Sequence, residues 1–438
     1  VAVDMDSTPS KLEFYVNGVF VNDQTDLTNS TFGVTLPFRA CFSVHSSGFH
    51  VNFGQGDPNG ENNYTDTNGR GGFKFEPPAG HLALCTANMK DADYAPIGPN
   101  SAAGTPDKHF DILIWSGDGT SDRRIGGLNF QPDLIWGKVR DADYSHAWFD
   151  SVRGVGKQIY SDSSAVEAAV EGVTSFNADG VTIGSNRDFG NESSREYVAW
   201  CWKAGNDTTV NNDGTISSTV SVNRDAGFSI VKWTGTDAAG TIGHGLSQAP
   251  EFMLVKPLDT ANSWVTYDKV FGGTNYMALQ TDQATGAVST RWNDTDPTST
   301  VFSVGNHVSV SDDGNRHIAY LWHSVEGYSK IGSYEGNGNA DGAFVYTGFK
   351  PKLVIVKNAD ATNNWIVNDS VRSPVNEITG GSSTLYIDTT NQESDLSTNV
   401  DFLSNGFKAR TSGGHRNATN TYIYIAWAEM PLKYATAR

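Results

Sequence analysis

Apolar and polar positions alternate along this chain in short bursts, and one burst is written three times. Its copies are Phe130-Gln-Pro-Asp-Leu-Ile-Trp-Gly-Lys-Val-Arg-Asp141, Gln248-Ala-Pro-Glu-Phe-Met-Leu-Val-Lys-Pro-Leu-Asp259 and Phe349-Lys-Pro-Lys-Leu-Val-Ile-Val-Lys-Asn-Ala-Asp360. Proline fits the first residue of a strand, where its missing N–H costs no ladder bond. The apolar run predicts a strand buried on both faces, and the polar close predicts a turn.

Each copy sits inside a longer repeat. The repeats start at His109-Phe-Asp-Ile-Leu-Ile-Trp, Gly227-Phe-Ser-Ile-Val-Lys-Trp and Gly327-Tyr-Ser-Lys-Ile-Gly-Ser-Tyr. A second strand follows the proline strand: His146-Ala-Trp-Phe-Asp-Ser-Val-Arg, Asn262-Ser-Trp-Val-Thr-Tyr-Asp-Lys-Val and Asn363-Asn-Trp-Ile-Val-Asn-Asp-Ser-Val-Arg. Each repeat closes on an aromatic strand: Tyr197-Val-Ala-Trp-Cys-Trp, His317-Ile-Ala-Tyr-Leu-Trp and Tyr424-Ile-Ala-Trp-Ala. A period of roughly 100 residues is far above those of solenoids or propeller blades. Each repeat is therefore expected to hold its own core, as small β-sandwiches in tandem. The expected division is residues 109–205, 227–326 and 327–438, with a polar spacer at 206–226.

Residues 1–87 also read as strands and hairpins. Leu12, Phe14 and Val16 alternate with polar neighbours before the hairpin signal Asn17-Gly18. Phe38, Ala40, Phe42 and Val44 repeat that plan, and a polar insertion runs from Asp57 to Gly72. Residues 88–108 carry Pro96, Pro99, Gly104 and Pro106 without periodicity and read as a linker. One phrase predicts a helix of at most two turns, Ser164-Ala-Val-Glu-Ala-Ala-Val-Glu-Gly172, with a capping box at Ser164 and Glu167 and a stop at Gly172.

Two resemblances follow from these runs. Leu12-Glu-Phe-Tyr-Val-Asn-Gly, Val51-Asn-Phe-Gly-Gln and Pro77-Pro-Ala-Gly-His-Leu-Ala-Leu resemble the second half of a SPRY domain, a concanavalin A-like β-sandwich used for binding. The first half is missing, and the chain opens at Val1 without methionine, so the natural protein is expected to extend upstream. The triplicated unit resembles an uncharacterised β repeat of bacteriophage tail-fibre-like virion proteins, particularly from marine phages. It is carried by Phe130-Gln-Pro-Asp-Leu-Ile-Trp, Phe149-Asp-Ser-Val-Arg-Gly, Phe344-Val-Tyr-Thr-Gly-Phe-Lys-Pro and Asp401-Phe-Leu-Ser-Asn-Gly-Phe-Lys-Ala-Arg. The resemblance implies a virion location, with synthesis in the host cytoplasm. Fibres of that kind are usually trimers, so a homo-oligomer is expected, assembled with other virion proteins and facing a host surface receptor.

Composition narrows the class. The 46 glycines, with charged residues at only 18%, suit many short strands joined by tight turns, and the fold is expected to be all-β. The 49 acidic residues against 31 basic ones give a net charge of −18, which disfavours nucleic acid or an anionic membrane as partner. No apolar run approaches the ~18 residues of a membrane span. Cys41, Cys85 and Cys201 are too scattered for a disulfide framework or a zinc site, and Cys201 reads as a buried free thiol.

Chemistry is sparse. There is no HExxH, no nucleophile elbow, no phosphate loop and no CxxC pair. Three copies of one fold rarely need three active sites, so no catalytic residues, metal or cofactor are expected. Glu335-Gly-Asn-Gly-Asn-Ala-Asp-Gly342 looks like a calcium loop but lacks EF-hand spacing and reads as a turn. Aromatics kept in every copy are expected to be core: Trp115, Trp233 and Tyr334 as one set, Trp148, Trp264 and Trp365 as another. Aromatics in a single copy or an insertion are candidates for stacking on sugar rings: Tyr64, Tyr160, Tyr276 and Trp292. The expected function is host recognition by binding a bacterial surface glycan or protein. A capsid-decorating or filament-forming protein and a polysaccharide depolymerase are the alternatives; the depolymerase needs a carboxylate pair set by spatial separation.

Overall fold

The computed structural model describes residues 101–376, 383–394 and 400–430, positions 96–98, and, nearer the N-terminus, residues 2–4, 11–16, 19–25 and some of 64–78. Strands make up 42% of the described residues and helix 3%, so the protein is all-β. It divides into two units, residues 1–90 and 91–438.

In the first unit, Ala2–Asp4, Lys11–Val16 and Val19–Thr25 form an antiparallel sheet in that order. Val16 pairs with Val19 in the antiparallel ladder, and Asn17 and Gly18 of the expected turn lie outside the described residues. The strands expected around Phe38 to Val44 and around Leu82 lie outside the described residues, as do Cys41 and Cys85.

The second unit repeats one plan three times. The main sheets, of six, six and five strands, share four adjacent strands in the order first, closing, proline, second. The first strands are Phe110–Ser116, Phe228–Thr234 and Ser329–Glu335, and the closing strands are Glu196–Trp202, Arg316–Trp322 and Thr421–Met430. The proline strands are Leu134–Val139, Phe252–Pro257 and Lys350–Asn358; the second strands are Ala147–Asp150, Val265–Asp268 and Ile366–Asp369. A small outer sheet covers each main sheet. It is built on Arg123–Gly126, Gly240–Gly243 or Phe344–Tyr346.

Period-two alternation along the closing strand sends its side chains to two different cores. Tyr197, Ala199 and Cys201 face the outer sheet of their own repeat, whereas Val198, Trp200 and Trp202 face inward. Ile318, Tyr320 and Trp322 do the same in the second repeat, and Ile423, Ile425 and Trp427 in the third. These inward residues form one core shared by all three repeats. The sequence predicted sandwiches with separate cores; the sandwiches are present, and their inner faces are pooled. At the centre the rings of Trp202, Trp322 and Trp427 meet edge to face, with centroids 5.2 to 6.0 Å apart. Such geometry sets the positive ring edge against a negative face. The indole nitrogens of these three tryptophans have no hydrogen-bond partner.

Three buried lysines close the ring. Lys138, Lys256 and Lys357, the lysines of the proline strands, are fully buried. An ammonium has three donors and no acceptor, and each of these finds three carbonyls. Two come from its own turn: Ala142 and Tyr144, Pro257 and Asn262, or Asn358 and Asn363. The third comes from a neighbouring repeat. Lys256 donates to Ser164 at 3.2 Å, Lys357 to Asp282 at 3.1 Å and Lys138 to Thr390 at 3.0 Å. The first repeat thus clasps the second, the second clasps the third, and the third clasps the first. Burial pulls each ammonium's pKa down to about 8, so all three remain cations at neutral pH.

The clasp explains the missing helix. Ser164 supplies the carbonyl to Lys256, and the Glu167 amide donates to Leu258 at 2.8 Å, leaving only a two-residue strand, Ala168–Ala169. Tertiary pairing overrides local propensity here. Two expected connectors are structured as well. Thr209–Asn211 and Ser218–Asn223 extend the second main sheet, and Ile97 from the expected linker is buried in the shared core.

An ionic network reinforces two of the three junctions. Arg153 pairs with Asp150 and Glu167, and Glu167 also meets Arg316. Arg372 pairs with Asp369 and Glu393, and Glu393 takes both arms of Arg140. The Trp200 indole donates to Asp369 at 3.1 Å. At the remaining junction the matching positions are Asp268, Phe271 and Thr285. Asp268 has one carboxylate oxygen without a partner, and burial pushes its pKa up to about 7.

Candidate functional site

Of the four aromatics singled out from the sequence, the three in the second unit form no common surface. Tyr64 is exposed (44%) but belongs to the N-terminal unit, where it bridges to Phe73. Tyr160 is half-buried, and its carbonyl accepts the Trp264 indole at 2.7 Å, so it serves a junction between repeats. Tyr276 is half-buried under the Arg291 guanidinium, 5.0 Å from the ring centroid. Trp292 is only 1% exposed and meets Tyr267 edge to face. A ring packed in that way offers no face to a partner, so Trp292 is a core residue.

Both three-copy sets pack into the cores as expected, but only one of them occupies equivalent places. Trp115 stacks on Tyr197, Trp233 on His317 and Tyr334 on Tyr422, with centroids 5.0 to 5.3 Å apart. These are equivalent places. Trp264 and Trp365 stand four residues before the strand-ending aspartates Asp268 and Asp369, and each indole reaches a carbonyl of the preceding repeat. The first-repeat residue at that offset from Asp150 is His146, beside the Tyr386 carbonyl; Trp148 matches Thr266 and Val367.

The most exposed aromatic pair lies elsewhere, on the outer sheet of the third repeat. Phe344 (47% exposed) and Tyr346 (64%) flank buried Val345 on an edge strand. Two residues apart, they share one face. The matching strands read Arg124-Ile125-Gly126 and Thr241-Ile242-Gly243, so these rings exist in one copy only. The rule that chose Tyr276 and Trp292 also selects this pair, but in sequence Phe344-Val-Tyr reads as a plain strand.

The surroundings of the pair are polar and ordered. Lys408 lies opposite Phe344, and Asp401 lies opposite Lys408, so all three share the face. Asp341 pairs with Lys408 at 2.7 Å and with Arg410 at 3.4 Å, while Arg410 holds Asp401 at 3.1 Å. The Lys408 bond keeps the exposed Asp341 carboxyl below the usual carboxylate range. Gly406 lies opposite Tyr346, where a Cβ would stand 2.0 Å from the Val345 carbonyl oxygen. Only glycine lets the strands pair there. The result is a flat apolar platform edged by donors and acceptors already held in place.

Among the described residues no group of three metal-ligating side chains comes together. Burial raises the pKa of four aspartates, Asp133, Asp162, Asp268 and Asp388, which lie in turns or at a strand end. Asp388, at about 6, is bonded by Asn364 and the Trp365 amide. Cys201 is a fully buried thiol whose pKa burial pushes up.

No curated protein sequence matches this chain. A family described as a domain of unknown function, DUF7483, matches residues 105–431, which takes in all three repeats. Over most of its length, from the first main sheet to the last, the chain belongs to the DUF7483 family.

Proposed function

We propose that this chain is a non-catalytic bacteriophage virion protein, a tail fibre or other host-recognition protein, that holds a bacterial surface glycan on the third repeat. The single observation behind the glycan reading is the exposed Phe344 and Tyr346 pair beside Asp341, Asp401, Lys408 and Arg410. Sugars offer apolar C–H faces to aromatic rings and hydroxyls to charged side chains, and this platform supplies both. The virion assignment rests on the sequence resemblance of the repeats.

Two experiments test the reading. Retention of the purified protein on lipopolysaccharide or capsule of the host should be lost when Phe344 and Tyr346 are both changed to alanine. Equal retention of the variant would remove the platform. Tag labelling seen by electron microscopy should place the chain on phage particles, and particles without label would remove the virion assignment.

We also propose self-association. The inner faces of the repeats are used up within one chain, so contacts between copies fall to outer sheets and loops. A trimer is the expected state, and a stable monomer at micromolar concentration in a mass measurement would count against it.

A further inference from the structure

Among the described residues, most buried cations are well supplied with acceptors. The clasp lysines each reach three carbonyls, and Arg153 and Arg372 each have two carboxylates and a carbonyl. Arg416 is 1% exposed, yet its Nε, Nη1 and Nη2 all lack a hydrogen-bond partner. Burial lowers its pKa to about 10, and the groups that act on its charge are the phenols of Tyr334 and Tyr386 rather than any carboxylate.

The fold itself does not ask for arginine at this place. The Tyr334 hydroxyl donates to the Arg416 carbonyl at 2.8 Å, as the Trp233 indole donates to the Val310 carbonyl at 3.2 Å in the second repeat. Valine therefore fills the same position there as an ordinary core residue. The backbone around Arg416 is firmly held: its amide donates to Gly413, and the adjoining Asn417 side chain ties Asn337, Asn339 and Thr411 together. A guanidinium placed by a rigid loop in a site that needs only an apolar residue has another use.

We propose that Arg416 is the binding site for a small oxyanion, a sulfate, a phosphate or a free carboxylate. The planar fork of a guanidinium matches two oxygens of such a group, and a desolvated charge pair of this kind is strong. The ligand is small because Arg416 has almost no surface of its own. Tyr386, whose phenol acts on the Arg416 charge, packs against His415 with ring centroids 5.4 Å apart. Tyr386 is barely exposed and His415 half-buried. Bound there, the anion supplies the acceptor that the clasp lysines, Arg153 and Arg372 already have, and it stabilises the loop 410–417 that borders the proposed glycan platform.

The test uses the full chain and the variant Arg416→Val, the residue the second repeat carries. Thermal unfolding is followed in sulfate, phosphate and acetate, each against chloride at matched ionic strength. Sulfate stabilises proteins generally by exclusion from their surfaces, so the reading is the difference between the two proteins. The wild type should gain more from at least one oxyanion than R416V does, and R416V in chloride should melt no lower than the wild type. Calorimetric titration should show saturable binding that weakens by about tenfold or more in R416V. Identical anion responses overturn the proposal, as does the absence of saturable binding to the wild type, a measurement that stands even if R416V fails to fold. Protection by a polyuronate but by none of the free anions would also overturn it, since the acid would then belong to a polymer.

Discussion

The Tyr320 hydroxyl donates a 2.7 Å hydrogen bond to the Asp150 carboxylate, across the boundary between the second and first repeats. Asp150 is fully buried and also holds Arg153. Tyr320→Phe removes one donor and leaves the ion pair, and should cost about 1–2 kcal/mol. Arg153→Met removes the cation from buried Asp150, while Glu167 keeps Arg316, and should cost about 3–5 kcal/mol. Urea unfolding monitored by fluorescence measures both. Equal losses for the two variants would mean that the charge contributes nothing beyond the phenol.

The lysine clasps should make the three repeats unfold as one. Lys256→Met leaves carbonyls of two repeats unpaired and is expected to destabilise by at least about 3 kcal/mol. Fluorescence and far-ultraviolet circular dichroism should report coincident transitions for the ring. An isolated middle repeat, residues 227–326, would expose Phe228, Trp264 and Trp322 and should not fold alone. A folded, monomeric middle repeat would show that the shared core is dispensable.

Asp268 should make stability depend on pH between about 4 and 7. Its folded pKa, near 7, is raised above the ordinary value of 3.8 by burial. The folded state therefore holds a proton that the unfolded chain has already released in this window, and stability from this group falls as pH rises from about 4 through 7. Asp268→Asn should remove that slope, leaving the two proteins alike near pH 4 and the variant about 1–3 kcal/mol more stable at pH 8. Parallel pH profiles for the two proteins would contradict this.

Alanine at Phe344 or Tyr346 should leave the fold intact, within about 0.5 kcal/mol in urea unfolding, because both rings are exposed. Glycan affinity should drop by about 0.5–1.5 kcal/mol for each ring removed. The change Trp292→Ala makes the contrasting control. It empties a core position and should cost about 3–5 kcal/mol of stability.

The repeated proline strands made the all-β class readable, since a doubly buried strand leaves an uninterrupted apolar run. Register was harder to read. Trp148 and Trp264 look equivalent because positions two apart on a strand share a face, so a slip of two keeps every side chain on its proper side. The same ambiguity hides that Trp427 matches Trp202, although the run Tyr424-Ile-Ala-Trp resembles Tyr197-Val-Ala-Trp. The ring itself left no local trace. Lys256 reads as the polar end of a strand, and its third acceptor, Ser164, lies in another repeat. The platform was hidden for the opposite reason: an alternating Phe-Val-Tyr is what any half-buried strand would show, and exposure depends on what covers the sheet.

Phe110, at the head of the first repeat, stacks on Trp427 of the last strand with ring centroids 5.7 Å apart. The third repeat clasps the first through Lys138 by the same kind of bond that joins consecutive repeats, and adds the Arg140–Glu393 pair. Covalent order is therefore incidental to this architecture. A circular permutant of the three repeats alone, residues 101–430, opened in the exposed stretch 205–208, should close into the same body. Its linker joins the strand Thr421–Met430 to the turn Pro106–Lys108 that the strand contacts. Threefold symmetry of that kind lets one repeat diverge at its surface while the other two hold the frame, which is where the lone aromatic pair is found.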